Sequence, residues 1–114
     1  MSIDQQADRG CRTVTHGLSE PDLAADIQLL SAAGNDTRYE ALRLIAEADG
    51  GACVCEIEPT LGVSQGAVSQ ALTRLYTAGL VSRRKEGRWR YYSITDEARQ
   101  LLETLDELRQ SRHD

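Results

Sequence analysis

One glycine, Gly62, most constrains how this chain of 114 residues can fold. It separates a short helical pattern that ends at Leu61 from the stretch "QGAVSQALTRLYTAG", in which Val68, Leu72 and Leu75 recur at helical spacing. Glycine readily adopts the left-handed backbone that a sharp turn between two helices requires. The sequence therefore predicts two short helices joined by a tight turn.

A basic β-hairpin is predicted directly after this helix pair. The second helix ends at Gly79, the residue type that commonly follows a helix C-terminus. The stretches "LVSRR" and "RWRYYSI" then flank a charged turn at Lys85–Arg88 that contains a glycine, a pattern typical of two paired strands. Helix, turn, helix and hairpin is the order of a winged helix-turn-helix, so the predicted fold class is mainly α with a small β-hairpin.

Three more helices are expected on either side of this unit. The first begins after Ser19, whose hydroxyl suits an N-cap. The second begins near Thr37, with Glu40 completing a capping box. The last is capped by Thr95 and runs over about residues 96–112. We thus expect a polar, flexible N-terminal arm over residues 1–17 and one folded domain over residues 18–112, which binds DNA and dimerises.

The charge is distributed very unevenly along the chain. The net charge is −5, yet residues 64–92 carry six basic side chains against one acidic and the remainder carries −10. An acidic protein should repel nucleic acid except through such a basic segment, because phosphate binding depends on local positive charge.

The polar face of the second helix and the basic hairpin together predict a DNA-binding surface. Short donors and acceptors at the start of this helix suit base edges in the major groove, and arginines on the hairpin suit phosphates. The alternative is a solvated helix face beside a solvated turn. The candidate DNA-binding residues are Ser64, Gln65, Ser69, Gln70, Thr73, Arg74, Arg84, Lys85, Arg88 and Arg90.

The apolar stripe of the last helix predicts a homodimer. A chain of this length has too little remaining sequence to cover the leucine stripe of the last helix, and a second copy covers it symmetrically. The alternative is that the stripe packs only on its own domain. The candidate interface residues are Leu23, Ile27, Leu30, Leu101, Leu105 and Leu108.

Two of the three cysteines, Cys53 and Cys55, lie just before the helix pair. Residues i and i+2 of a regular helix point to opposite sides, so two such thiols cannot share a ligand. Pro59 would clash with the carbonyl of Cys55 inside a regular helix, so we expect the helix to begin no earlier than about Cys55 or Glu56. Residues 53–55 would then be irregular and both thiols free to turn toward one soft ion, although simple packing of the two side chains is the alternative.

The stretches "DTRYEALRLI", "CVCEIEPTLGVSQGAVSQALTRLYTAGLV" and "RRKEGRWRYYSIT" resemble the ArsR/SmtB family of metal-responsive repressors. The resemblance implies a winged-helix homodimer, joined through its first and last helices, that binds an inverted-repeat operator on double-stranded DNA and releases it when an inducer metal binds. Family members often carry two histidines where this chain has Gln70 and Ala71, so the operator sequence does not carry over.

The "CVC" triplet resembles the signature of arsenic-, cadmium- and lead-sensing members of that family. Some arsenic sensors have a third cysteine where this chain has Glu58, whereas cadmium and lead sensors use cysteines of an N-terminal arm. The resemblance therefore implies a three-thiolate site of Cys53, Cys55 and Cys11, the last from the same or the partner chain. Three sulfurs fit As(III) or Sb(III) as inducer; His16 as a fourth ligand would suit Cd(II) or Zn(II), and Pb(II) is a further alternative.

Other functions are less consistent with the sequence. There is no signal-peptide pattern and no run of about 18 apolar residues, so a cytoplasmic protein without membrane contact is expected, with reduced thiols. The sequence contains no phosphate-binding loop and no cofactor-binding motif that would indicate an enzyme. A redox-sensing repressor remains open, with a disulfide from Cys11 to Cys53 or Cys55, since a Cys-x-Cys pair is not expected to close easily on itself.

Overall fold

The computed structural model describes residues 11–113 of the chain. The N-terminal arm predicted over residues 1–17 therefore lies largely outside the described residues, and residues 11–19 carry no helix or strand. The described elements, in chain order, are α1 Glu20–Ala33, α2 Asp36–Glu47, α3 Val54–Leu61, α4 Gln65–Thr77, β1 Val81–Glu86, β2 Trp89–Ile94 and α5 Asp96–His113. This is the predicted winged helix-turn-helix architecture.

The helix caps agree with the sequence at two of three positions. Ser19 caps α1 by accepting a hydrogen bond from the backbone N–H of Asp22 at 3.2 Å. Thr95 caps α5 in the same way for Ala98, also at 3.2 Å. The expected cap at Thr37 was wrong: Asn35 caps α2 instead, because its extended backbone lets its side-chain oxygen accept from the N–H of residue 38 at 3.0 Å.

The tight turn at Gly62 is confirmed. Gly62 has a φ of +67° and donates its N–H to the carbonyl of Glu58 at 3.1 Å, which closes α3. Two residues later, the hydroxyl of Ser64 accepts from the N–H of Ala67 at 3.1 Å and opens α4. The two caps fix α3 and α4 as a helix-turn-helix unit.

The core lies where α2, α3 and α4 meet the base of the hairpin. It contains no phenylalanine, as none is present in the sequence. Aliphatic side chains from each of these elements fill it to the exclusion of water, and Tyr92 of β2 closes one side. The largest fully buried side chains are Leu42, Ile45, Ile57, Val68, Leu72, Leu75, Leu80 and Val81.

The two strands form an antiparallel hairpin, called the wing below (residues 81–94), whose register pairs Lys85 with Arg90. An isolated antiparallel β-bridge joins the wing to the segment before α3: Ala52 and Tyr92 exchange both backbone hydrogen bonds at 2.8 Å. Gly51, with a φ of +101°, makes this approach feasible, since a Cβ there would lie 3.0 Å from the carbonyl oxygen of Tyr92. The wing is therefore bonded directly to the residue that precedes Cys53.

None of the helices within residues 11–113 is long and apolar enough to cross a membrane.

Candidate DNA interface and thiol site

Helix α4 is the second helix of the helix-turn-helix unit and is called the recognition helix below. It is amphipathic. One face is buried in the core through Val68, Leu72 and Leu75, which recur at helical spacing. The predicted DNA-binding side chains of this segment other than Arg74 are exposed to solvent: Ser64 at the N-cap, and Gln65, Ser69, Gln70 and Thr73 along the helix.

Arg74 is the predicted recognition-helix residue that is already engaged within the chain. Its Nη2 donates to the hydroxyl oxygen of Ser31 on α1 at 3.3 Å, and its side chain is half-buried. This contact joins the recognition helix to α1. The side chain of Arg74 is therefore bonded to α1, whereas the side chain of Gln70 is exposed to solvent.

The wing presents three freely exposed basic side chains, Lys85, Arg88 and Arg90. Lys85 and Arg90 are cross-strand partners, so their Cβ atoms share one face of the hairpin. This face continues into Tyr92, which is buried against the helical core. The basic pair Lys85 and Arg90 thus lies on the part of the hairpin beyond the buried Tyr92, toward the turn.

Arg84, also predicted to bind DNA, instead ties the wing to the loop before the thiols. Its Nη1 donates to the carbonyl oxygen of Gly50 at 2.8 Å, and its Nε lies 3.1 Å from Glu86. The guanidinium also lies 5.1 Å from the ring centre of Tyr91. These contacts occupy the side chain of Arg84, so its main role in the fold is to hold the wing.

Sequence reasoning missed a second stacked arginine, Arg83. Its guanidinium lies 4.0 Å from the ring centre of Tyr76 on α4. The only local signal was an aromatic residue on the exposed side of the recognition helix near its C-terminus. The contact holds the wing strand β1 against α4 and is independent of the Arg84 tether.

The two thiols of "CVC" come together at the N-terminus of α3. Cys53 is the N-cap, with φ −96° and ψ 167°, and its backbone N–H donates to Glu56 at 2.9 Å. Because an N-cap residue is extended, the helical rule that separates residues i and i+2 does not apply to this pair. The structure joins the sulfur atoms of Cys53 and Cys55 as a disulfide. The expectation that a Cys-x-Cys pair does not readily close on itself was wrong here.

The predicted start of α3 was also too late. The helix begins at Val54, so Cys55 lies within its first turn and only Cys53 has non-helical backbone. Pro59 is accommodated inside the helix, where its missing N–H removes one donor to the carbonyl of Cys55. The two thiols differ in accessibility, since Cys53 is 5% exposed and Cys55 lies at the surface.

The third predicted ligand does not join the pair within one chain. Cys11 is a free, exposed thiol. Within residues 11–113 no three side chains of the types that ligate metals come together. His16 is used locally, since its Nδ1 accepts from the N–H of Leu18 at 3.0 Å. Two sulfurs thus meet at the N-terminus of α3, and no third metal-ligating side chain lies beside them within residues 11–113.

The predicted dimer surface is largely solvent-exposed in the single chain. On α1, Ile27 and Leu30 are 57% and 63% exposed, and on α5 Leu108 is 54% exposed. A groove of about 550 Å³ between α1, α2 and α5 continues this apolar surface through Leu101 and Leu105. The chain's own domain leaves Ile27, Leu30 and Leu108 exposed, whereas Leu101 and Leu105 also pack partly against its core.

An ion cluster that the sequence did not reveal joins α5 to α2. Arg43 Nη2 and Arg109 Nη1 lie 3.0 and 2.9 Å from the same oxygen of Asp106, and Arg43 Nε donates to the hydroxyl of Tyr39 at 2.8 Å. The hydrogen bond from Arg109 and the contact with Arg43 lower the pKa of Asp106 below its ordinary value of 3.8. The cluster orients the last helix against the helical core.

Comparison with known proteins agrees with this geometry. The family model described as "Bacterial regulatory protein, arsR family" matches residues 35–83, from the N-cap of α2 into β1. The chain is 70% identical over 87 residues to the "Putative arsenical resistance operon repressor ArsR2" of Halobacterium salinarum, which covers 76% of this chain and 73% of that protein.

Solved structures with the same architecture were also found. HlyU from Vibrio cholerae superposes with a TM-score of 0.69 at 33% identity, over 79% of this chain and 97% of that one. A homodimeric winged helix-turn-helix domain from Mycobacterium bovis superposes with a TM-score of 0.72 at 25% identity, over 86% of this chain and 93% of that one.

Proposed function

The chain belongs to the ArsR family of regulatory proteins, and from this premise we propose that it is a cytoplasmic repressor that is released from operator DNA when As(III) or Sb(III) binds its cysteine thiolates. As a member of this family it is a DNA-binding transcriptional regulator and not an enzyme. The proposal extends this membership to a particular inducer, to particular residues and to a dimeric assembly.

The convergence of the Cys53 and Cys55 sulfurs at the N-terminus of α3 is the observation that carries the inducer assignment. In the reduced protein these are two thiols that face the same point. Thiolates are soft ligands that prefer soft metals and metalloids. Because α3 packs directly on α4, a ligand bound at this point acts on the helix adjacent to the recognition helix.

Cys11 completes the proposed site with a third sulfur. Since no third ligand lies beside the pair within residues 11–113 of one chain, the arm has to move toward it or reach it from the partner subunit. Three thiolates suit the pyramidal coordination of trivalent arsenic or antimony. A response to Cd(II) or Zn(II) would need a further ligand, for which His16 is the candidate, and Pb(II) is a further alternative inducer.

DNA binding is assigned to the exposed face of α4 and to the wing. We place Gln65, Ser69 and Gln70 at base edges in the major groove, with Ser64 and Thr73 beside them, because these polar side chains are exposed to solvent. Lys85, Arg88 and Arg90 contact phosphates from the wing. Arg74 and Arg84 support this surface through their contacts with α1 and with the Gly50 loop.

Dimerisation is assigned to the uncovered apolar face of α1 and α5. Its exposed apolar side chains are Leu23, Ile27, Leu30 and Leu108, and a two-fold axis would pair the face with itself. Such a dimer presents two recognition helices to successive major grooves, about 34 Å apart along the DNA. The interface residues are Leu23, Ile27, Leu30, Leu101, Leu105 and Leu108.

Induction follows from where the thiols lie. An ion bound to Cys53 and Cys55 constrains the N-cap and the first turn of α3, which forms one unit with α4. Operator binding requires both recognition helices at a fixed spacing, so a small displacement weakens it. A coupling of about 1–3 kcal/mol, up to roughly 150-fold in affinity, is typical, provided that the ion binds the DNA-free form more tightly.

The test is an electrophoretic mobility shift on the protein's own promoter with As(III), Sb(III), Cd(II), Pb(II) and Zn(II), under a phosphine reductant. Wild-type protein is expected to release the DNA with As(III) or Sb(III). Cys11→Ser, Cys53→Ser and Cys55→Ser should each bind DNA and resist release. Equal release of all three variants by As(III) contradicts the proposed site.

A redox-sensing repressor is the second candidate, and the Cys53–Cys55 disulfide favours it. In that reaction a peroxide takes two electrons and two protons from the two thiols, forming one S–S bond and leaving water and an alcohol or a second water. This candidate predicts release by peroxide in the absence of metalloid, independent of Cys11. Retained DNA binding after complete oxidation of the pair rules it out.

A further inference from the structure

The wing tip, residues 87–90, lies beside the thiol pair. A cavity of about 260 Å³ opens between the N-terminus of α3, the start of α4 and the hairpin turn. It brings together residues assigned to inducer binding and residues assigned to DNA binding. Its lining consists of Cys53, Val54, Cys55, Gln65, Arg88, Trp89 and Arg90.

Backbone bonds connect the same two regions. Ala52 precedes Cys53 and is bonded twice to Tyr92, two residues after Arg90. The guanidinium of Arg84 holds the Gly50 carbonyl from the other strand of the wing. Cys53 is therefore connected to the wing through its neighbour Ala52, a shorter path than the one through α3 and the turn to α4.

We propose that the wing tip forms the outer wall of the inducer site, and that an inducer held by Cys53 and Cys55 displaces Trp89 and, with it, moves Arg90 from its proposed phosphate-binding position. This inference rests on the proposed function and deepens it. An ion bonded to both sulfurs and to the thiolate of Cys11 brings the arm into the cavity that the two wing side chains line. Induction then acts on phosphate contacts of the wing as well as on the recognition helix.

Trp89 is suited to this role because of where it lies. It is the only tryptophan of the chain, and it is 52% exposed at the first residue of β2, where it lines the same cavity as Cys53 and Cys55. No stabilising role in the core accounts for it, because the core cluster does not include it. The indole supplies a large apolar part of the cavity wall.

The hairpin register supplies a matched pair of basic side chains. Lys85 and Arg90 are direct cross-strand partners and both are exposed, yet only Arg90 lines the cavity. Removing either one takes one positive charge from the same rung of the wing. The two variants should therefore lose similar amounts of DNA affinity but respond differently to the inducer.

The experiment measures operator affinity by fluorescence anisotropy of labelled DNA, with and without saturating As(III), under a phosphine reductant. Arg90→Ala and Lys85→Ala should each weaken DNA binding and lower the salt-dependence slope by about one. The ratio of the operator affinity without As(III) to that with As(III) should be up to about 150 in wild type. This ratio should be unchanged in Lys85→Ala. It should fall at least about fivefold in Arg90→Ala and in Trp89→Ala. Trp89→Phe, which keeps an aromatic wall, should restore most of the ratio.

Tryptophan emission provides a second measurement that does not depend on DNA. As(III) added to reduced wild-type protein should change the emission of Trp89, and the change should be absent in Cys53→Ser. If As(III) releases wild type and every wing variant by the same ratio, the wing proposal fails and the proposed function stands. If As(III) does not release wild type from the operator, the proposed function fails. If the emission of Trp89 is unchanged at saturating As(III), the wing proposal fails whether or not the operator is released.

Discussion

Ala52 and Tyr92, forty residues apart in the sequence, exchange both of their backbone hydrogen bonds at 2.8 Å. This β-bridge extends the two-stranded wing by one residue pair, which joins strand β2 to the segment before Cys53. It depends on the close approach of Gly51, whose backbone φ of +101° is costly for any other residue. The first prediction follows from this approach.

Gly51→Ala should destabilise the protein more than Gly50→Ala does. Both glycines have positive φ, which costs a non-glycine residue about 1 kcal/mol or more. Only at Gly51 would the added Cβ also press against Ser93 Oγ at 2.8 Å and the Tyr92 carbonyl at 3.0 Å, whereas nothing lies within 4 Å at Gly50. Thermal unfolding at one protein concentration checks this, with about 4–8 °C expected per kcal/mol. Equal melting temperatures of the two variants would contradict the close approach.

The second prediction concerns the pH dependence of the Asp106 cluster. Because Arg109 and Arg43 lower the pKa of Asp106 in the folded state, its stabilising effect is fully present above the unfolded value of 3.8. The effect is lost as the pH falls through the lower folded value. The difference in free energy of unfolding between wild type and Asp106→Asn should therefore be constant above about pH 5 and disappear in acid.

Glu107→Gln is the control for this measurement. Glu107 is the next residue on α5, is exposed, and has no ion pair among the described residues. Its substitution should leave the free energy of unfolding unchanged within about 0.5 kcal/mol. Urea unfolding between pH 3 and pH 7 provides the data. A pH-independent difference for Asp106→Asn would mean that the contact with Arg43 does not depend on ionisation.

Local chemistry made much of the fold predictable from the sequence. Ser19 is a strong N-cap followed by proline and acidic residues, and Gly62 is the residue that a left-handed turn requires. The cap of α2 was misplaced because Asn35 and Thr37 are both good caps two residues apart. Only tertiary contacts, such as the bond from Arg38 to the carbonyl of Ala32 at 2.7 Å, favour the earlier start.

The candidate site was predictable in its residue types and less so in its geometry. Pro59 was expected to keep residues 53–55 out of the helix, but it lies inside α3, and only the N-cap Cys53 has extended backbone. The pairing of Arg43 with Asp106 and the cavity shared by Cys53 and Trp89 join residues far apart in the sequence. No local pattern encodes such contacts, because they depend on how the elements pack.

The third prediction tests the dimer surface through Ile27. Ile27→Glu places a charge at the centre of the α1 face, where each dimer would bury it twice without a partner. We expect the dimer dissociation constant to rise at least about 100-fold, or roughly 3 kcal/mol, by sedimentation velocity. Val14→Glu is the control, since Val14 is exposed and lies outside α1 and α5. A dimer of unchanged strength in Ile27→Glu would place the interface elsewhere.

The last prediction separates base recognition from phosphate binding on α4. Gln70 is exposed on the polar face and carries both a donor and an acceptor, so Gln70→Ala should lose about 1–3 kcal/mol of operator binding. Its affinity for non-specific DNA and the salt-dependence slope should stay the same, because no charge is removed. Gln100→Ala, an equally exposed amide on α5, should bind the operator like wild type. Competition binding against random-sequence DNA measures both terms, and an equal loss on operator and random DNA in Gln70→Ala would show that this side chain does not read bases.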